Sequence, residues 1–218
     1  MACILAVALC ISFTACSGGN KKAFKDSKEA YDNINIAYNI VEQMGRDICE
    51  AWRMGIFEEN EIYNDGAKHL ASKLSLSEEE LELGAAYTLS IVFGDDWETI
   101  SEEDKNDLLA SVEYSFIVMK DNLYGFCAAI VINSYILNGK VDEAQNALDL
   151  AKVQLKDISK NYPDYEHYSV LKGYYTTTSS FFDFCKNPNC SYEQLKETIS
   201  SYNDEARNYA SDLDFIFE

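Results

Sequence analysis

Apolar residues recur at helical spacing along almost the whole chain, and only two prolines are present to interrupt them. Tyr31, Ile34, Tyr38, Val41, Gly45, Ile48 and Trp52 follow alternating steps of three and four. Such steps hold every member on one face of an α-helix, here as a single narrow seam six turns long. Gly45 falls on that seam, where the missing Cβ permits a close helix approach or a slight bend. The spacing predicts a first helix from about Ala23 to Met54.

Residues 55–76 read as irregular with one short helix. Ser77-Glu78-Glu79-Glu80 is a capping box that opens a helix through Leu81, Ala85, Leu89 and Val92, and Gly94 closes it. Ser101-Glu102-Glu103-Asp104 offers a similar start. The seam after it (Leu108, Val112, Ser115, Met119, Leu123, Phe126, Ile130) predicts one long helix to Asn138-Gly139, kinked at Gly125 and central in the fold. Residues 142–161 repeat the pattern through Ala144, Leu148, Ala151, Leu155 and Ile158. Tyr162-Pro163 stops that helix, and Asp164 is placed to cap the next, which carries Leu171, Tyr174, Thr178, Phe181 and Cys185. Ser191-Tyr192-Glu193-Gln194 caps a final helix with Leu195, Ile199, Tyr202, Ala206, Tyr209, Leu213 and Ile216 on one seam. With no convincing strand, the reading is all-α: an antiparallel helical bundle or an array of helical hairpins, about six or seven helices, in a single domain over residues 26–218.

Tyr135, Gly139, Ala144, Leu148 and Ala151 resemble part of a tetratricopeptide repeat. Ile132 stands where that repeat wants a small residue, Lys156 stands in place of its closing Pro, and no second copy follows at the repeat's length. The likeness implies TPR-like helix pairing and no more.

Residues 2–15 (ACILAVALCISFTA) are almost wholly apolar and uncharged. They fall short of the roughly 20 residues that span a bilayer and suit the core of a signal peptide. Phe13-Thr14-Ala15-Cys16, followed by Ser17-Gly18-Gly19-Asn20, resembles a bacterial lipobox, with Phe13 where Leu is usual and no cationic residues before the apolar run. The resemblance implies a signal over residues 1–15. It also implies that Cys16 is diacylglyceryl-modified, becomes the mature N-terminus and is N-acylated, with residues 16–25 as a flexible tether. It places the protein in a bacterial cell envelope, lipid-anchored and facing outside the cytoplasm. The competing reading of the same residues is an apolar N-terminal helix of a cytosolic protein.

Net charge is −19, from 37 acids and 18 bases. Nucleic acid is thereby excluded as a partner, because phosphate binding needs a basic face. The acidity is uneven: residues 16–56 are neutral overall, whereas residues 57–107 hold fifteen acids and three bases. That segment is a solvated face or a surface for a basic partner. Of the seven cysteines, Cys49 and Cys127 sit in apolar helical patterns. Cys185 and Cys190 bracket the turn Lys186-Asn187-Pro188-Asn189 and make a candidate local disulfide, which the chain-entropy model values at roughly 2 kcal/mol. His69 and His167 have no ligand spacing. No nucleophile elbow, phosphate loop or metal motif is present, so no catalytic residue, metal site or cofactor is assigned.

Tyr162, Tyr165, Tyr168, Tyr174 and Tyr175 cluster within fourteen residues and read either as core and rim or as a groove for a sugar, peptide or ring. The functional expectation is a membrane-anchored surface lipoprotein acting as a non-enzymatic interaction or scaffold module. It would meet a protein partner through an acidic or aromatic surface. The alternative is a solute- or glycan-binding lipoprotein that uses the tyrosine groove.

Overall fold

The computed structural model describes the backbone of residues 2–217 and the side chains of residues 21–217; Cys16 and the rest of the expected signal, with the expected tether up to Asn20, fall outside the described side chains. Helix α1 (Ala2–Phe57) is the axis on which α2 (Glu59–Ala71), α6 (Leu123–Leu137), α7 (Lys140–Asn161), α8 (Tyr168–Lys186) and α9 (Tyr192–Phe217) pack. Its expected seam is buried, but so is a second row seven residues apart: Ala30, Ala37, Met44 and Ala51. The burial on α1 is therefore broader than a narrow seam. Small side chains in that second row let a further layer of helices approach.

Side-chain pairs give each helix its direction against α1. Gly55 abuts Tyr124, Asp47 bonds Tyr135, Asn33 bonds Gln154 and Tyr162 bonds Asp26. Thus α6 and α7 run end to end in the same sense, both antiparallel to α1, joined at Gly139 (φ 78°). The stretch from Tyr135 to Ala151 is a joint and does not double back as a hairpin. Asn35 meets Tyr174 and Gly45 meets Phe181, so α8 runs parallel to α1. Tyr38 meets Asn203 and Tyr31 meets Asp214, so α9 runs antiparallel. Around the first half of α1, then, α1, α7, α8 and α9 form an up-down-up-down four-helix bundle with its own core, which includes Ile34, Leu171 and Leu213. Around the second half, α1, α6 and α3 (Glu78–Phe93) enclose the larger core of Val41, Ile48, Leu81, Phe126 and Ile130.

The described residues form nine α-helices and no strand, not six or seven helices. The excess comes from the run after Ser101, expected as one helix. It is divided into α4 (Glu102–Ala110), α5 (Val112–Val118), a single 3-10 turn at Lys120–Asn122, and α6. Ser111 turns its hydroxyl back to the Asp107 carbonyl (2.8 Å) at the first break. At the second, α5 and the segment from Lys120 to Leu137 bend by 73°. The bend lets Phe116 lie over Gly66 of α2 while its ring meets Phe126 edge-on at 5.5 Å. Gly125, the expected kink, sits inside unbroken α6. The capping boxes at Ser77 and Ser101 form as expected, as does the Ser191–Gln194 pair. Asp164 does not cap α8, whose N-cap is His167.

Gly84 holds α3 against α6: a Cβ there would lie 2.2 Å from Ser134 Oγ and 2.6 Å from the Ile130 carbonyl. At an exposed helical site Gly→Ala stabilises by up to about 1 kcal/mol. Gly84→Ala is expected to destabilise by roughly 1–3 kcal/mol through overpacking, read as a lower urea midpoint by circular dichroism.

Candidate functional site

The five tyrosines do not line one groove. Tyr174 is fully buried; its hydroxyl donates to Asn35 Oδ1 at 2.7 Å, and its ring meets Tyr31 and Tyr38 at 6.0 and 5.8 Å. Tyr31 and Tyr38 in turn give their hydroxyls to Asp214 and Asn203. Burial is the main cause that pushes the Tyr31 phenol up to about 12. These rings fill the smaller core and hand their polar tips to α9 and α1. Tyr162, Tyr165, Tyr168 and Tyr175 are half-buried around its rim. Tyr165 lines one depression with Phe24 and His167; Tyr168 lines another, of about 440 Å³, with Lys172, Glu205 and Tyr209 between α8 and α9.

Cys185 and Cys190 are separate thiols, not a disulfide. Helix α8 carries Cys185 inward against Gly45 of α1, with Sγ 3.4 Å from where a Gly45 Cβ would sit, while Cys190 lies beyond the turn. Burial pushes the Cys127 thiol up to about 12 and raises those of Cys49, Cys185 and Cys190 as well. Such thiols lack the lowered pKa of a reactive cysteine.

Sequence reasoning missed Asp47, whose carboxylate is buried on α1. It accepts hydrogen bonds from Tyr135 Oη (2.9 Å), Gln43 Nε2 (3.1 Å), the Ser75 amide (3.3 Å) and the Ser75 hydroxyl. The signal was present: Asp47 stands between Met44 and Ala51 at steps of three and four, an acid inside the second buried row. Its four donors come from α1, α6 and the loop before α3, so it pins that loop in place. At the α1–α2 corner, His69 Nε2 lies 2.7 Å from Glu58, which also pairs with Arg53. The Arg53 and His69 bonds hold the Glu58 carboxyl below the usual carboxylate range. Among the described residues no group of three or more His, Cys, Asp or Glu is placed to hold a metal ion, and no single helix is long and apolar enough to cross a membrane.

The most unusual surface is the far end, built by α3, α4 and α5, which pack on one another. Ile91, Val92 and Phe93 are consecutive and exposed, Phe93 by 66 %. Gly94 (φ 81°) ends α3 directly after them, and the Asp95 amide turns back to the Ser90 carbonyl at 2.8 Å. On α5, Val112, Ser115 and Phe116 face inward, which leaves Tyr114 (68 % exposed), Ile117 and Val118 outward. Helix α4 buries no side chain at all. Asp95, Asp104 and Asp107 line a depression of about 310 Å³ whose other walls include Ile100 and Leu108. Residues 91–121 hold nine acids against two bases. This arrangement presents exposed apolar side chains and concentrated negative charge on the same group of helices. No known family, curated protein or solved structure matches the chain.

Two consequences are measurable. Asp47→Ala strips Tyr135 and Ser75 of their acceptor and is expected to cost about 1–3 kcal/mol in urea unfolding. Desolvation first, then the charges of Glu78, Glu113, Glu79 and Asp65, push the Glu82 carboxyl up. A raised carboxyl means that the ionised form opposes folding. Glu82→Gln therefore raises the melting temperature at neutral pH by about 1–2 °C. That gain is lost as the pH falls through the raised folded-state value towards the ordinary Glu value of about 4.3, below which wild type is protonated folded and unfolded alike.

Proposed function

We propose that the protein is a lipid-anchored envelope protein acting as a non-enzymatic interaction module, tethered at Cys16 and binding a protein partner through the α3–α5 end. The observation that carries this reading is the exposed apolar surface of Ile91, Val92, Phe93, Tyr114, Ile117 and Val118. Geometry supports it further. Residues 21–57 of α1 extend about 55 Å at 1.5 Å per residue, and the α3–α5 end is attached through α2 and α6 where α1 finishes. A lipid on Cys16 would fix one end of that axis to the bilayer and hold the acidic face well away from it, with two acyl chains giving stable attachment. A second reading, a solute- or glycan-binding lipoprotein, draws support from the Tyr168–Tyr209 depression, where aromatic faces stand beside Lys172 and Glu205.

Metabolic labelling with a fatty-acid analogue is expected to mark wild type and not Cys16→Ala. A photo-crosslinking residue at Tyr114 is expected to capture a partner in intact cells, and the same residue at Leu150 on α7 is not. An unlabelled wild type removes the anchor, and equal capture from both positions removes the binding face.

A further inference from the structure

We infer that the α3–α5 end is a docking site for a cationic amphipathic helix of the partner protein. This rests on the interaction reading above and adds the chemistry of what binds. The apolar residues are laid out for a helix. Tyr114, Ile117 and Val118 stand at steps of three and four on α5, a stripe turned away from the buried face, and Ile91, Val92 and Phe93 end the neighbouring helix. Helices α3 and α5 touch, and exposed apolar side chains on two contacting helices are what an amphipathic helix packs against.

The charge selects the sign of that helix. The acid-lined depression is built by the segment that joins the two apolar groups in the chain: its lining starts at Asp95, two residues after Phe93, and ends at Ser111, three before Tyr114. Ile100 and Leu108 give it apolar walls, and Asp95 and Asp107 give it carboxylates. That combination suits a lysine or arginine, whose methylene stem packs on aliphatic walls while its head meets the acids. Lys105 does not neutralise the face, since it is already paired with Glu102 and lies over the Trp97 ring. A second copy of this chain would bring the same nine acids against themselves, and an anionic bilayer would be repelled in the same way.

The test uses the full chain in detergent and a fluorescent 18-residue peptide of leucine and lysine at helical spacing, with a leucine/glutamate peptide as its opposite. Anisotropy is expected to show binding of the lysine peptide alone. Phe93→Ser with Ile117→Ser is expected to weaken it about tenfold. Asp95→Asn with Asp107→Asn is expected to weaken it severalfold, and Glu197→Gln with Asp204→Asn, the same charge change on α9, less than about twofold. Equal loss from both charge pairs would mean attraction to overall charge and would overturn the inference, as would binding indifferent to Phe93 and Ile117. Crosslinks at Tyr114 in cells, without a preference of the lysine peptide for this face, would leave the interaction reading standing and sink the partner's chemistry.

Discussion

Helix α1 must satisfy two cores at once, and the rest of the fold follows from how it does so. Its first half completes a four-helix bundle with α7, α8 and α9; its second half backs α6 and, through α6, α3. A single apolar seam would serve one layer of partners. The added row of Ala30, Ala37, Met44 and Ala51, three of them alanine, turns α1 into a helix buried on two adjoining faces. Because the same rigid element crosses both cores, a defect in one is felt by the other, and the two halves are expected to unfold together.

Polar groups then fix which helix lies where. Apolar packing alone tolerates slippage by a turn. The hydroxyls of Tyr31, Tyr38 and Tyr174 do not, since each has one partner on a neighbouring helix. Asp47 plays the same part in the other core, where it collects Tyr135 of α6 and Ser75 of the loop before α3. Within the α3–α5 end, α4 is the helix least tied to this frame. Helix α4 packs on α3 and α5 and reaches the core through the half-buried Leu108 and Leu109. Segments with few buried contacts open at the lowest free energy.

The all-helical class and the seam of α1 were legible in the sequence because both depend on local periodicity. Tyr31, Ile34, Tyr38, Val41, Ile48 and Trp52 are all buried. Other features were hidden for definite reasons. The divided run after Ser101 keeps its three-and-four steps across each break, since the broken helices still turn Val112, Ser115, Leu123 and Phe126 to the same core. Asn138-Gly139 ends a helix whether the chain then folds back or carries on, so the end-to-end arrangement of α6 and α7 could not be read from it. The tyrosines after residue 161 were close in sequence, but α8 turns successive residues about 100° apart, which sends Tyr174 into the core and leaves Tyr168 and Tyr175 on the rim. Asp47 lies off the seam of Tyr31 to Trp52, on a row whose alanines give little apolar signal of burial.

The acidity of the α3–α5 end has two sources with opposite consequences. Glu80 and Asp104 close capping boxes, and Glu78, Glu79, Glu102 and Glu103 sit in first turns where the helix dipole favours a negative charge. Those acids stabilise the fold and need no partner to account for them. Asp95 and Asp107 occupy no such position, and Glu82 is opposed by burial and by the acids around it. Exposed apolar residues next to these groups add a second unfavourable element, since neither water nor the chain's own core satisfies them. Both kinds of cost therefore fall on helices whose other faces, through Leu81, Leu89 and Phe116, fill the larger core.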